Sequence, residues 1–253
     1  MRIFLKTEDE IILLRAASQL ATRALIEVGR HVVPRLALSH LRNKVINAVM
    51  RTVPTESNSS KEALSSDTEF TFFVNGAYIE PSLEGECMLC EGDWLTVNCW
   101  VCLDGYYSFG AHTFIVGSSQ DDEPMISTLR DMLRQVVRRA SAGHSIKEMN
   151  RTVYSLHSHD PYVLQKTFGH GVGRNRVENP ILRMNPGVND TVLLKEGMCL
   201  VIALAFKHGR SHLIKPRLMH ESTFHNPFVP FGTTVVVRPG RPEILTSFET
   251  IVK

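Results

Sequence analysis

The chain has 253 residues and a net charge of +2, and its hydrophobic content of 43% and charged content of 21% are typical of an ordinary globular protein. The near-neutral charge gives no support to general nucleic-acid binding. No run of about 18 apolar residues predicts a membrane span. The opening residues MRIFLKTEDEI turn acidic too early for a secretory signal, so we expect a cytoplasmic protein with reduced cysteines.

Helical spacing of apolar residues predicts two helices at the start of the chain. The first covers residues 8–33, with Thr7 as its cap and Glu10 in the first turn to meet the helix dipole. The second covers residues 36–53, with Ser39 as a candidate cap.

The apolar pattern then changes from helical to alternating. A polar, serine-rich stretch over residues 54–67 predicts a surface loop. Strands are predicted over residues 70–74, 94–103 and 106–116, and the Asp-Gly pair at 104–105 predicts a hairpin between the last two.

The second half of the chain repeats this order of elements. Helices are predicted over residues 124–142 and from Ser145 to about His159. Further strands are predicted over residues 199–206, 211–215, 233–237 and 244–252. We therefore expect a single α+β domain over residues 1–253 with two similar halves, about 1–117 and 118–253, in which two pairs of helices cover a curved, mostly antiparallel sheet.

The stretch KTFGHGVGRNRVENP, residues 166–180, has the most distinctive local pattern. His170 lies between Gly169 and Gly171, and Gly173 follows. Glycines remove side chains from around the imidazole, so backbone and ligands can approach it closely. Such a histidine suits metal ligation or acid–base chemistry, and a tight turn with a surface histidine is the alternative.

Several segments, in order, resemble methionine aminopeptidases of the short bacterial type, which have the pita-bread (creatinase/aminopeptidase) metallopeptidase fold. The segments are FLKTEDEIILLRAASQLATRAL, GDWLTVNCWVCLDGYYSFGAHTFIVG, FGHGVGRNRVENP, LKEGMCLVIALAF and TTVVVRPGRPEILT. The resemblance covers nearly the whole chain and implies the pita-bread fold. It also implies the family's chemistry, in which two divalent metals activate a water that attacks the first peptide bond.

The resemblance implies a ligand set of four carboxylates and one imidazole, but this sequence retains only the imidazole. The five family positions correspond to Asn98, Phe109, His170, Ala203 and Gly232. Two neighbouring dications need about four negative charges, which these residues lack. We therefore expect no metal cofactor; remodelled ligands around Co, Mn, Fe or Zn would be the alternative.

Neighbouring polar residues offer few substitutes for the missing carboxylates. The two substrate-contacting histidines of the family correspond to Glu80 or a neighbour and to Val177. A pocket in which Glu80 or His112 faces His170 would suit proton chemistry or ligand binding. The nearest carboxylates in sequence, which a shifted alignment would recruit, are Asp93, Asp104 and Glu221. The first two match non-ligand aspartates of the family, and the third lies in a loop.

Two other groups of residues have metal-ligand chemistry. Two C-x-x-C pairs, Cys87 with Cys90 and Cys99 with Cys102, supply four thiols suited to zinc. Residues three apart on a strand point to opposite faces, so buried, apolar cysteines are favoured. Several histidines follow Lys207 near Glu221, and a polar loop is the favoured interpretation: they are His208, His212, His220 and His225.

The sequence thus predicts a catalytically inactive pseudoenzyme that acts as a protein-binding, peptide-binding or scaffold module. The alternative is a diverged metalloaminopeptidase that removes N-terminal methionine. Silent relatives of the fold imply, by analogy only, a ribosomal or histone partner, and an active paralogue is a further candidate. The candidate contact residues are arginines of the third helix and of the turn after His170: Arg130, Arg134, Arg138, Arg174 and Arg176.

Overall fold

The structure is a computed structural model that describes residues 2–53, 64, 66–117, 124–157, 163–164, 167–184, 191–207 and 228–247. Its helices are α1 (Glu8–His31), α2 (Leu38–Thr52), α3 (Pro124–Arg138) and α4 (Ile146–His157), with a short 3-10 helix over Pro81–Leu83. None of the helices in these ranges combines the length and apolar content that a membrane span requires.

The strands form one antiparallel sheet. They are β1 (Glu69–Val74), β2 (Ala77–Tyr78), β3 (Trp94–Leu103), β4 (Tyr106–Ile115), β5 (Val163–Leu164), β6 (Thr167–Gly171), β7 (Glu178–Arg183), β8 (Cys199–Lys207), β9 (Phe228–Val236) and β10 (Glu243–Ile244). The main order is β2-β1-β3-β4-β9-β8-β6-β7, with β10 paired to β9 and β5 to β8.

Two pairs of helices cover this curved sheet, which confirms the α+β pita-bread prediction. In the first half α1 packs against α2 and against β3 and β4; in the second half α3 packs against α4 and against β8 and β9. Buried apolar residues of all four helices join those of the strands in one core cluster. The repeated arrangement matches the repeated element order of the sequence.

Local signals in the sequence account for the start of α1 and for the central hairpin. The Thr7 hydroxyl accepts a hydrogen bond from the Glu10 N–H, and the Glu10 carboxylate accepts one from the Thr7 N–H, forming a capping box. In the β3–β4 turn, Asp104 and Gly105 both have positive φ, 50° and 76°. Aspartate and glycine tolerate this left-handed conformation, which a tight hairpin turn requires.

Several predicted elements differ from the structure. The cap of α2 is Ala37, which makes no side-chain hydrogen bond, so the prediction of Ser39 was wrong. The stretch around His170 forms strands β6 and β7 rather than a simple turn. Strand β9 begins earlier than predicted. The last strand, predicted over residues 244–252, is the two-residue β10, Glu243–Ile244, within the described range. The strand predicted over residues 211–215 lies outside the described residues.

Candidate functional site

Strand pairing places the five family positions on one face of the sheet, here called the site face. Asn98 on β3 pairs with Ala111 on β4, which pairs with Gly232 on β9. Gly232 in turn pairs with Ala203 on β8. Two positions along β8, Val201 pairs with His170 on β6. Because side chains two apart on a strand share a face, Phe109 joins this set from β4.

The Phe109 ring occupies the space beside Ala203 and Gly232, the two smallest residues at the five family positions. A Cβ atom built on Gly232 would lie 2.6 Å from Phe109 Cε1 and 3.1 Å from the Ala203 methyl carbon. Phe109 is 7% exposed and belongs to a buried apolar cluster. An aromatic ring therefore fills the part of the site face between β4, β9 and β8.

Trp100 connects this ring to the histidine. The ring centroids of Trp100 and Phe109 are 4.7 Å apart, and the Trp100 and His170 rings are nearly parallel at 6.0 Å. We call Trp100, Phe109 and His170 the aromatic cluster. Offset aromatic contacts of this kind add stabilisation beyond simple burial.

His170 is held between two glycines that the strand packing requires. A Cβ atom on Gly169 would lie 2.2 Å from the Val201 carbonyl oxygen, and one on Gly171 would lie 2.4 Å from the Asn179 carbonyl oxygen. The His170 Nδ1 lies 2.8 Å from the Gly171 carbonyl oxygen. Burial lowers the pKa of His170, and this hydrogen bond opposes the shift only in part, so the neutral imidazole is favoured.

The residues of the site face do not fit a pair of divalent cations. Phe109, Ala203 and Gly232 carry no donor atom, and Asn98 supplies one neutral oxygen, which is buried and has no hydrogen-bond partner among the described residues. Across the described ranges, no group of three or more histidine, cysteine, aspartate or glutamate side chains is arranged to hold a metal ion. A pair of dications needs carboxylate charge that this donor set lacks.

Arg176 covers one side of the aromatic cluster. Its guanidinium carbon lies 5.7 Å from the Trp100 ring centre and 5.8 Å from that of Tyr107. Its Nη1 donates to Glu69 Oε2 at 2.9 Å, and its Nη2 donates to the Asp67 carbonyl oxygen. The Tyr107 hydroxyl donates to Asp67 Oδ2 at 2.5 Å. Arg176 is therefore committed to contacts within the chain.

The profile of metallopeptidase family M24 matches residues 12–211, which is more than half of the chain. The chain belongs to metallopeptidase family M24. It is 28% identical to a methionine aminopeptidase of Helicobacter pylori over 225 residues, covering 85% of this chain and 87% of that protein. It is 24% identical to a methionine aminopeptidase of Borreliella burgdorferi over 254 residues, covering 97% of this chain and 98% of that protein. A crystal structure of methionine aminopeptidase from Thermotoga maritima shares the fold with a TM-score of 0.77 and 21% identity, covering 97% of this chain and all of that chain (100%).

Two other residues predicted for the pocket of this M24 protein do not meet His170. His112 is fully buried on the opposite sheet face, where its ring lies 4.5 Å from that of Phe114 and 4.6 Å from that of Phe231. The predicted His112–His170 pair was therefore wrong, because the odd and even positions of β4 point to opposite faces. Glu80 is an exposed residue before the 3-10 helix, and no contact joins it to His170 in the described structure.

The predicted arginine patches are only partly exposed. Arg130 is only 7% exposed, which contradicts its prediction as a surface contact residue. Arg134 pairs with Asp131 at 2.7 Å, and Arg138 is exposed. Arg174 is 68% exposed, with its guanidinium carbon 4.6 Å from the Tyr106 ring centre.

The remaining metal-ligand candidates have structural roles or lie outside the described part of the chain. Cys87, Cys99 and Cys102 are buried free thiols, and Cys90 is half-buried. Asp93 accepts hydrogen bonds from the Asn75 side chain and the Cys90 N–H at the start of β3. The histidines at 208, 212, 220 and 225, with Glu221, fall outside the described residues.

Sequence reasoning missed Trp100, which joins Phe109 to His170. A signal was available: Trp100 is two positions after Asn98 on a predicted strand, so both residues share a face. The closeness of Phe109 and Gly232 was implied by the resemblance, which puts both at ligand positions of one metal pair, but no local pattern indicated it, because it depends on the pairing of strands from the two halves.

Proposed function

We propose that this M24 protein is catalytically silent and serves as a protein-binding or peptide-binding module. The observation that carries the proposal is the Phe109 ring packed against Gly232 and Ala203. At positions where the family's chemistry requires carboxylates, an aromatic side chain fills the space instead.

Converting this arrangement into a metal centre would be energetically costly. Moving the Phe109 side chain out of its buried environment would forfeit roughly 1.5–3 kcal/mol of hydrophobic stabilisation. No carboxylate of the aligned set would compensate for the repulsion between two dications. The neutral His170 imidazole, stacked on Trp100, contributes one nitrogen donor at most.

The site face nevertheless keeps features suited to recognition. Four residues of this region stay partly exposed, although Arg176 lies over one side of Trp100 and Tyr107: Asn98, Trp100, Tyr107 and His170. Partly exposed aromatic rings can accept an apolar side chain of a peptide. We therefore favour a peptide or protein segment as the ligand, with a ribosomal protein, a histone or an active paralogue as candidate sources by analogy.

Measurements of metal content and of turnover test the proposal that the protein is catalytically silent. The purified chain is incubated with Co, Mn, Fe or Zn, desalted and analysed for bound metal, and hydrolysis of a Met-initiated tripeptide is measured beside an active methionine aminopeptidase. We expect no stoichiometric metal and no methionine release. Stoichiometric metal with turnover that is lost in His170→Ala would overturn the proposal and establish the alternative, a diverged metalloaminopeptidase.

A binding titration tests the proposal that the site face recognises a peptide. A fluorescently labelled Met-initiated peptide is titrated with the wild-type chain, Trp100→Ala and the control Tyr154→Ala, whose side chain is exposed on α4. We expect saturable binding that weakens only in the Trp100 variant and leaves the peptide intact. Equal binding by the Trp100 variant and the wild type would contradict recognition at the site face.

A further inference from the structure

A cationic cleft lies in the helical layer, between the C-terminal half of α1 and the face of α2 beside it. Its volume is about 260 Å³. The residues that matter here are Arg23, Glu27 and His31 of α1, with Lys44, Asn47 and Arg51 of α2. We call this the α1–α2 cleft. It is built from none of the site-face residues, so ligand binding there is independent of the proposed function.

Positive charge is concentrated around the α1–α2 cleft. Arg23, Lys44 and Arg51 line the cleft with His31 beside them, whereas Glu27 is the one carboxylate in its described lining. The whole chain carries a net charge of only +2, so the concentration is local. A cleft in which cations outnumber carboxylates focuses a positive electrostatic potential and attracts anions.

The single carboxylate is already engaged by the helix that carries it. Glu27 Oε1 lies 2.8 Å from Arg23 Nη2 and 2.8 Å from Arg30 Nη1, and Glu27 Oε2 lies 3.5 Å from His31 Nδ1. Lys44 and Arg51, from α2, form no ion pair within the described ranges. The α2 side of the cleft thus holds cations that Glu27 does not neutralise.

One buried donor in the cleft has no acceptor. The Arg23 Nε atom is inaccessible to solvent and makes no hydrogen bond to any described residue, although Arg23 Nη2 is paired with Glu27. A buried N–H without an acceptor is destabilising, and native structures rarely leave one unsatisfied. The Arg23 side chain as a whole is 39% exposed, so a rotation of its guanidinium toward an oxyanion in the cleft would give this N–H an acceptor.

We propose that the α1–α2 cleft binds a small ligand through a phosphate or diphosphate group. A phosphate has several acceptor oxygens, which suits a guanidinium donor, a lysine ammonium and an asparagine amide converging from two helices. The volume is that of a small polar group rather than of a large organic ligand. Arg23 supplies the buried donor, and Lys44 and Arg51 supply the charge.

Calorimetric titration of the full chain with inorganic pyrophosphate tests the site. Wild type is compared with Arg51→Gln, with Arg23→Lys and with the control Arg138→Gln, which removes an exposed arginine from α3. We expect wild type to bind and Arg51→Gln to bind about tenfold more weakly, the order of one charge-assisted hydrogen bond. Arg23→Lys keeps the charge but loses the Nε donor, so its affinity should also fall, whereas Arg138→Gln should match wild type.

Thermal melts complete the test. Each variant must melt cooperatively without ligand, and pyrophosphate must raise the melting temperature of wild type more than that of Arg51→Gln. The proposal fails if wild type neither releases heat nor shifts its melting temperature at millimolar pyrophosphate. It fails equally if Arg138→Gln weakens binding as much as Arg51→Gln. Tight binding of a single-stranded RNA without pyrophosphate binding would also overturn it, since the surface would then recognise an extended backbone.

Discussion

At the scale of single residues, Gly232 and Phe109 depend on each other. A methyl group on Gly232 would lie 2.6 Å from Phe109 Cε1, and the Phe109 ring cannot easily retreat because Trp100 packs against it. We expect Gly232→Ala to lower the free energy of unfolding by about 1–3 kcal/mol, the usual cost of overpacking a core. Urea unfolding monitored by circular dichroism measures this.

Two further variants separate overpacking from a general effect of replacing glycine. Gly85→Ala is the matched control, because no atom lies within 4 Å of its added methyl group, and it should be nearly neutral. In a Phe109→Leu background, the smaller side chain should leave room, so Gly232→Ala should cost less than it does in wild type. The same cost in both backgrounds would show that Phe109 is not the obstacle.

The cysteines give a second prediction at this scale. Burial raises the pKa of the Cys87 thiol to about 11 and that of Cys199 to about 12. Cys90 is half-buried. Because the thiolate is the reactive form, we expect iodoacetamide at pH 8 to label Cys90 first and the other four only after unfolding, as peptide mass spectrometry would detect. Labelling of Cys99 at the rate of Cys90 would contradict the buried placement.

Some residue positions could be predicted from sequence and others could not. The opposite orientation of His112 and Phe109 follows from strand alternation, so the wrong pairing of His112 with His170 was avoidable. The burial of Arg130 was not evident, since its helix spacing also fits a solvated face. Likewise the Phe109–Gly232 contact requires the β4–β9 pairing, which no local pattern encodes.

At the scale of elements, the first turn of α1 is joined to the sheet through Glu10. Its carboxylate accepts hydrogen bonds from the Thr7 N–H at 3.0 Å and from the Tyr106 hydroxyl at 2.8 Å. The hydrogen bond from Thr7 is the largest of the causes that hold the pKa of Glu10 below its ordinary value of 4.5, and that from Tyr106 is the second. A carboxylate with a lowered folded-state pKa stabilises the fold above its unfolded-state pKa, and that stability is lost as the pH falls through the folded value.

We therefore expect Glu10→Gln to lower the free energy of unfolding at pH 7 by about 0.5–1 kcal/mol, the scale of a lost capping interaction. The difference from wild type should shrink as the pH falls below 4.5, where the carboxylate becomes protonated in wild type too. Urea unfolding at pH 7 and at pH 3 measures both values. Asp9→Asn, in the same exposed turn, is the control and should show only a small helix-dipole effect. A pH-independent difference for Glu10→Gln would contradict the ionised cap.

Element boundaries were predictable where the signal is local. The Thr-x-x-Glu capping box and the Asp-Gly hairpin turn both occur where the sequence places them. Strand β6 was not predictable in this way, because its glycine-rich sequence TFGHG has little β propensity and becomes extended only when β7 and β8 supply its hydrogen bonds. Tertiary pairing, rather than propensity, decides the structure of that segment.

At the scale of the whole molecule, the segment before α1 is fastened to the second half of the chain. The Lys6 N–H donates to the Gly197 carbonyl oxygen at 2.7 Å. Lys6 Nζ lies 2.6 Å from Glu178 Oε2, and both side chains are only 5% exposed. Gly173 leaves the room for this pair, since a Cβ there would lie 2.2 Å from Lys6 Cε. The glycine pattern after His170 thus serves packing between the two halves.

This buried pair gives the final prediction. We expect Lys6→Met or Glu178→Leu alone to lower the free energy of unfolding by roughly 3–5 kcal/mol, because each leaves a buried charge without its partner. The double variant Lys6→Met/Glu178→Leu should recover most of that loss, because no charge then remains buried. Arg134→Ala, which breaks the exposed pair with Asp131, is the control and should cost about 0–1 kcal/mol.

A double-mutant cycle from urea unfolding, repeated in 1 M NaCl, measures this coupling. Salt screens the exposed pair but not the buried one, so the Lys6–Glu178 coupling energy should persist at high salt while any Arg134–Asp131 contribution disappears. Additive losses in the Lys6/Glu178 cycle would show that the two side chains act independently. A large coupling would instead show that the segment before α1 and strand β7 stabilise each other, so that the buried pair joins the start of the chain to the strand that pairs with Gly171 beside His170.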